Sequence, residues 1–226
     1  MKIFIIFLTL SLSFISYAEE STIVYVDGSR FIAPLPPNYC DATESIVGKF
    51  MMEYMYTQLG NMPQDSDGLP EPKKVFTICG NEDSFGYPWG WIGIAEAPGV
   101  SQFELNEAVT EAAKDTRLLE KLSEDMTASF DETLRDFGMN DSIIRGLAPG
   151  ETAVLWADKN IVVVTTINRG IVEGEFFEEK VIGGFSVIDD FVFYYYITDD
   201  LDSEVKTGKY MLELLRNAEI LFKYNN

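Results

Sequence analysis

Hydrophobic residues recur with two different periods along the chain, and together these periods predict both strands and helices. Alternation with a period of two over residues 22–35 predicts a hairpin that turns at Asp27–Gly28. A further strand is predicted at residues 74–79. Two later hairpins are predicted from paired apolar runs, with turns at Asp158–Lys159 and Asp189–Asp190.

Helical spacing occurs in three segments. The first covers residues 41–59 and opens with an Asp-x-x-Glu capping box, and the second covers residues 101–137 and opens with a Ser-x-x-Glu box. An unbroken second helix would run about 55 Å, which exceeds the roughly 43 Å diameter of a compact domain of this length. A break is therefore predicted between Ser123 and Ser129. A final helix is predicted to begin near Asp202.

This order of elements predicts the fold class. Strands, helices, more strands and a last helix indicate an α+β protein, with an antiparallel sheet and helices packed on one face. The sequence contains no internal repeat and no clear linker. We therefore expect a single domain over residues 19–226.

The N-terminus predicts export. Lys2 precedes an apolar run at residues 3–15, and small residues at Ser16 and Ala18 offer a cleavage site before Glu19. The run is shorter than the roughly 20 residues that span a bilayer, although an uncleaved anchor is the alternative. We expect a signal peptide at residues 1–18, a periplasmic or secreted product, and no stable membrane insertion after cleavage.

The charge balance excludes some partners. The chain has 37 acidic and 17 basic residues, for a net charge of −20. Nucleic-acid phosphates and anionic lipids would be repelled, because no basic stripe opposes this charge. We expect no nucleic-acid binding, whereas a cationic partner is compatible with the charge.

The two cysteines, Cys40 and Cys79, are predicted to form a disulfide. Pairing is the default for an exported protein, and a free thiol is the alternative. The chain has no histidine, which removes Cys-His and Ser-His-Asp catalysis and all metal sites that need an imidazole. The sequence thus predicts no catalytic residue, no metal site and no cofactor.

Aromatic residues concentrate in one segment, residues 85–97. Phe85, Tyr87, Trp89 and Trp91 are spaced two apart, which places them on one face of a strand. Such a row either contacts a ligand or partner or forms a wall of the core. Tyr87, Trp89 and Trp91 are the candidate contact residues.

Other motifs give no catalytic assignment. Residues 65–68 read Asp-Ser-Asp-Gly, as inside an EF-hand loop, but the ligands required before and after them are missing. Two fragments of the motifs of penicillin-recognising serine enzymes occur here, Ser203-x-x-Lys206 and Lys206-Thr207-Gly208. Both fragments use the same lysine, so they do not form two separate motifs. An acidic cluster at residues 199–204 is explained by helix capping, with loose calcium binding as the alternative.

One stretch resembles a known group. Pro34, Pro36, Tyr39 and Cys40 match an early P-x-P-x-G-Y-C stretch of uncharacterised bacterial exported proteins, with Asn38 at the glycine position. The layout also resembles, more loosely, the PsbP/Mog1 group, small α+β domains that mostly bind other proteins. This is a likeness of layout alone, and layout does not determine function.

Two hypotheses follow. The first is a non-catalytic exported protein that binds a protein partner or a small ligand. The second is a hydrolase that uses a carboxylate acid/base pair. A pocket with two carboxyl groups of raised pKa would favour the hydrolase, and an exposed apolar patch without such a pair would favour binding.

Overall fold

Strands form the largest part of the described chain, with helices between and after them. A computed structural model describes residues 21–60, 70–84, 86–115, 144–172, 175–200 and 204–225. The elements in chain order are β1 (Ser21–Val26), β2 (Ser29–Pro34), β3 (Tyr39–Asp41), α1 (Ile46–Gly60), β4 (Glu71–Ile78), β5 (Trp89–Glu96), α2 (Gln102–Ala112), β6 (Ile144–Ala157), β7 (Val162–Val172), β8 (Glu175–Ile188), β9 (Phe191–Asp200) and α3 (Glu204–Asn225).

The strands make a seven-stranded sheet and a separate two-stranded hairpin. The sheet has the order β3-β4-β5-β9-β8-β7-β6, and β1 pairs with β2. Every neighbouring pair is antiparallel. The predicted fold class, a single α+β domain with an antiparallel sheet, is confirmed.

Local turn chemistry explains the hairpins. Asp27 and Gly28 both adopt positive φ, at 47° and 79°, between β1 and β2. Asp189 has a φ of 51° between β8 and β9. Asp158 follows β6, and its side chain accepts hydrogen bonds from the backbone N–H groups of Asn160 and Ile161. All three predicted hairpins are present.

One face of the sheet, which we call the packed face, carries the larger core. The hairpin and α3 both cover it, and their side chains join those of the central strands in one buried cluster that includes Val24, Phe31, Phe76, Phe193 and Leu214. Clustering of this kind is the main stabilising contribution in a domain of this size.

Two details fix the layers on the packed face. Gly90 lies where a Cβ atom would collide with the Phe76 ring and the Tyr196 carbonyl oxygen, so only glycine allows this approach. At the hairpin, the Asn225 side chain accepts the N–H of Ile32 at 2.8 Å and donates to its carbonyl oxygen at 2.9 Å. Asn225 of α3 thereby satisfies the backbone of Ile32 in β2.

The opposite face, which we call the groove face, carries a smaller core. Val162, Phe185 and Val192 form it, with Leu105 and Val109 of α2 packed against them. In addition, α1 contacts β4. The helices were predicted on one face, but they lie on both, because strand side chains alternate between two apolar faces and each face needs cover.

The start of α1 differs from the prediction. Asp41 does not cap the helix, because residues 39–41 form β3 and pair with β4. Ser45 caps α1 instead, and its hydroxyl accepts the N–H of Gly48 at 2.9 Å. The box at Ser101 and Glu104 is confirmed.

The second helix ends earlier than its hydrophobic pattern suggests. The helix α2 stops at Ala112, and Ala113 is its C-cap. The predicted break at 123–129, the segment at 65–68, Phe85, Asp202 and the predicted signal peptide lie outside the described residues. Within the described part, no helix is long and apolar enough to cross a membrane.

The predicted disulfide between Cys40 and Cys79 is present, with a Cα–Cα distance of 4.9 Å. Cys40 lies on β3 opposite Thr77 of β4, and Cys79 follows β4. The bond therefore joins the edge strand β3 to the end of its neighbour β4. It closes a sequence separation of 39, which corresponds to about 4 kcal/mol of stabilisation in the chain-entropy description.

Candidate functional site

A groove opens on the groove face between α1 and the strands β4 and β5. It has a volume of about 300 Å³, at the lower end of the range for small-molecule sites. We call it the α1 groove. Its lining consists of Ala42, Val47, Gly48, Met51, Val75, Thr77, Glu82, Ser84, Gly86, Tyr87 and Trp89.

The apolar wall of the groove follows from the packing of α1. Val47 and Met51 are one helical turn apart, so both project from the same side of the helix toward Val75 on β4. Gly48 lies between them, where a Cβ atom would collide with the Ala42 carbonyl oxygen. The absence of a side chain at this position lets α1 approach the preceding segment closely.

The rim of the groove is a loop held by its own hydrogen bonds. The N–H of Cys79 donates to the Asn38 carbonyl oxygen at 3.0 Å. The N–H of Asn81 donates to the Ile78 carbonyl oxygen at 3.0 Å. Ser84 donates to the carbonyl oxygen of Asn81 from both its N–H and its hydroxyl. With the neighbouring disulfide, these contacts give the rim a defined shape before any ligand arrives.

Two of the three predicted contact residues line this groove. Trp89 is the first residue of β5, and Tyr87 precedes it across a cis peptide bond to Pro88. The Tyr87 side chain is 43% exposed, and its hydroxyl donates to Glu179 Oε2 at 2.6 Å. A predicted contact pair and an apolar helix wall thus share one surface.

Trp91 has a different environment. It is half-buried and stacks on Tyr196 of β9, with ring centroids 4.6 Å apart and an interplanar angle of 16°. Although it shares a face of β5 with Trp89, it is not part of the groove lining. Its contacts fit the core alternative considered for this row.

The electrostatics of the groove do not suit acid/base catalysis. Among the described residues of the lining, Glu82 is the one acid. The Gly80 N–H that donates to it at 3.0 Å holds the pKa of its carboxyl below the ordinary value. Burial, together with the charge of Glu179, raises the pKa of the Tyr87 phenol. Near neutral pH the carboxyl is therefore charged and the phenol keeps its proton, which suits recognition rather than proton transfer.

A second polar cluster lies where β9 meets α3. Asp199 is 5% exposed and accepts a hydrogen bond from Tyr210 at 2.5 Å, while Lys206 Nζ lies 3.5 Å from the same carboxylate. Burial raises the pKa of the Glu213 carboxyl one turn further along α3. The cavity beside Asp199 holds about 10 Å³, which leaves room for about one water molecule and not for a substrate.

This cluster also accounts for two motifs of the sequence. Lys206 forms ion pairs with Asp199 and Asp200, and the Thr207 hydroxyl accepts a hydrogen bond from Lys180 at 2.9 Å. Four described residues of these motifs, Asp199, Asp200, Lys206 and Thr207, thus help to attach α3 to the sheet. Among the described residues, no group of three or more His, Cys, Asp or Glu side chains is arranged to hold a metal ion.

Sequence reasoning missed several groove residues. Val47 and Met51 recur at helical spacing, a pattern that predicts burial in the core, and no pattern singles out Thr77, Glu82 or Ser84. A polar loop after a cysteine was the available signal for Glu82 and Ser84. It did not show that the loop faces α1.

Comparisons with known proteins give a fold likeness alone. No protein-family model matches the sequence, and no curated protein matches it significantly. The Ran-binding protein Mog1p of Saccharomyces cerevisiae aligns at a TM-score of 0.32 with 8% identity, over 92% of this chain and 93% of that chain. A mutant of the protein Mog1 aligns at 0.33 with 8% identity, over 91% and 93%. These are members of the Mog1 group that the layout resembles, and at such TM-scores the likeness carries no argument about activity.

Proposed function

We propose that this chain is a non-catalytic exported protein that binds a partner through the α1 groove. The observation that carries the proposal is the position of Tyr87 and Trp89 on a preformed, largely apolar groove of about 300 Å³. Aromatic side chains beside an apolar pocket supply much of the binding free energy in protein interfaces. Export is supported by the N-terminal pattern of residues 1–18 and by the Cys40–Cys79 disulfide, which suits an oxidising compartment.

The hydrolase alternative has less support. Its mark would be a pocket with two carboxyl groups of raised pKa, but among the described residues the lining of the α1 groove contains Glu82 as its acid, and the pKa of that carboxyl is lowered. Burial raises the pKa of Glu213, yet this residue belongs to the cluster at α3 where the cavity is too small for substrate. A hydrogen bond with Asp27 raises the pKa of Glu96, but Glu96 is exposed at the end of β5 and lines neither of these cavities. Binding is therefore the function we propose.

Site-specific cross-linking tests the proposal. A photoreactive phenylalanine at position 87 should give a discrete adduct with a component of the producing organism's envelope or culture medium. The same group at Tyr224, which is 48% exposed on α3, is the matched control and should give none. A Trp89→Ala substitution should remove the adduct at position 87. Equal adducts from positions 87 and 224 would contradict the assignment of the groove.

An activity screen tests the alternative. Purified protein with an intact disulfide should not turn over glycoside or ester substrates above background. If turnover were found, and if one Asp or Glu substitution removed it while the melting temperature stayed unchanged, the protein would be a hydrolase and the proposal would be wrong.

A further inference from the structure

The hydroxyl groups that line the α1 groove donate their protons in hydrogen bonds within the protein. Thr77 Oγ1 donates to the Pro88 carbonyl oxygen at 3.0 Å, and Ser84 Oγ donates to the Asn81 carbonyl oxygen at 3.0 Å. Tyr87 donates to Glu179. A hydroxyl has one proton and two lone pairs. Towards a ligand, these three side chains therefore offer lone pairs.

The remaining side chains strengthen this acceptor character. Glu82 is an acceptor with a negative charge, and among the described residues of the lining none is basic. The indole N–H of Trp89 is the one side-chain donor not accounted for by these bonds. An acidic or acceptor-rich ligand would leave its own oxygens facing lone pairs and a carboxylate, which is unfavourable. A ligand with several N–H donors and a positive charge would satisfy the acceptor oxygens and the carboxylate of the lining.

Two further features favour a cation. The aromatic rings of Tyr87 and Trp89 line the groove, and the faces of such rings attract ammonium and guanidinium groups. The chain has a net charge of −20, so its long-range field concentrates cations at its surface. Val47, Met51 and Val75 supply an apolar wall along which the methylene stem of a basic side chain can lie.

The size of the groove identifies what part of a partner it accepts. A volume of about 300 Å³ suits one long side chain, and it is too small for a helix or a strand with its side chains. From these observations, and building on the proposed function, we infer that the α1 groove receives a lysine or arginine side chain of a basic protein partner. Glu82 and the acceptor oxygens of Thr77 and Ser84 bind its N–H donors, and the aromatic pair contacts its stem and charge.

Peptide titration by NMR tests this inference on the full exported chain with its disulfide intact. Two blocked tripeptides, glycine-lysine-glycine and glycine-arginine-glycine, are compared with the norleucine isostere, which keeps the stem and lacks the charge. We expect saturable shifts of the Trp89 indole N–H signal with the lysine and arginine peptides, at least tenfold weaker binding of norleucine, and weaker binding at high salt.

Two substitutions that change the net charge equally distinguish binding in the groove from attraction by the overall charge of the chain. Glu82→Gln should weaken lysine-peptide binding about tenfold, because it removes the carboxylate next to the ammonium group. Glu107→Gln, on the exposed surface of α2, makes the same change in net charge and should alter binding less than twofold. Thermal melting of both variants verifies that they fold.

Three results would overturn the inference. Norleucine binding equal to lysine binding would mean that the groove takes an apolar group, which leaves the proposed binding function intact. Equal effects of the two glutamate substitutions would mean that the long-range field alone attracts cations. Binding of n-butylammonium as tight as that of the lysine peptide would mean that the occupant is a small amine and not a protein side chain. Absence of a cross-link from position 87 in the protein with Trp89 intact would instead refute the proposed function itself.

Discussion

The two faces of the seven-stranded sheet differ in how completely they are covered. The packed face lies under the β1–β2 hairpin and α3, and it carries the larger core, with Phe76 and Phe193 fully buried. The groove face carries a smaller core under α2 and an open groove beside α1. The difference accords with the division of roles that we propose, in which one face provides stability and the other leaves aromatic surface for a partner.

The strand β5 contributes to both faces at once. Gly90 and Ile92 point into the packed face and are buried, whereas Trp89 and Trp91 lie on the groove face and are half-buried. Because a strand alternates its side chains, one residue along the sequence separates a core position from a surface position. Substitutions along this strand and its neighbours therefore test the comparison directly.

The largest loss of stability is expected on the packed face. Phe193 has no exposed surface and packs edge-to-face on Phe31, with ring centroids 5.2 Å apart. Phe193→Ala should lower the free energy of unfolding by about 3–5 kcal/mol, as measured by urea denaturation. The folded fraction should still bind the lysine peptide. A loss below about 1 kcal/mol would show that this face is not the main source of stability.

Removing the disulfide is expected to have the next largest effect. The double substitution Cys40→Ser and Cys79→Ser should cost about 4 kcal/mol in the same denaturation experiment. Wild-type protein in excess reductant should match it. Unchanged stability in reductant would mean that the β3–β4 pairing suffices without the bond.

Two tryptophans on the same face of β5 give a matched pair. Trp91→Ala should cost about 2–3 kcal/mol, because it removes a half-buried ring and its stacking on Tyr196, and it should not affect lysine-peptide binding. Trp89→Ala should cost about 1 kcal/mol and abolish that binding. The reverse result would place the contact surface at Trp91.

A smaller effect than that of Trp91→Ala is expected at Asp41, and it depends on pH. Burial raises the pKa of this carboxyl, but hydrogen bonds from Lys74, Thr43 and Thr22 outweigh burial and hold the pKa below its ordinary value. A lowered pKa gives stability that is present above the unfolded value of about 3.9 and is lost as the pH falls through the folded value.

Asp41→Asn should therefore cost about 1–2 kcal/mol at pH 7, and the difference from wild type should shrink as the pH falls below about 4. Urea denaturation at several pH values measures this. The substitution Asp83→Asn in the rim loop is the control, because the hydrogen bond that Asp83 accepts from the Ile46 N–H is long, at 3.4 Å. A difference that stayed constant with pH would show that the charge of Asp41 makes no net contribution.

The sequence predicted features that depend on neighbouring residues. The turns at Asp27–Gly28 and Asp189–Asp190 and the capping box at Ser101 follow from local backbone chemistry, and all three are present. The strand β3 was missed because Tyr39–Asp41 is extended only through its pairing with β4. An Asp-x-x-Glu pattern is a weak local signal against a strand partner more than 30 residues away, as in the register of Asp41 with Phe76.

The α1 groove was predictable only in part for the same reason. Tyr87 and Trp89 stood out because aromatic residues at alternate positions are visible in the sequence. Glu82, Thr77 and Met51 come from a loop, a strand and a helix that are brought together by packing. The acceptor character of the lining depends on which carbonyl oxygens the hydroxyls bind, and no pattern of residue types records that.

The contact between Asn225 and Ile32 also sets the order in which the molecule can fold. Its two hydrogen bonds join residues 193 positions apart, and contacts of such long range slow folding because a large loop must close first. A chain that emerges from the ribosome in N-to-C order cannot complete this layer before α3 is synthesised. The hairpin residues remain without their α3 cover until then, so this layer of the fold forms last in a chain made in that order.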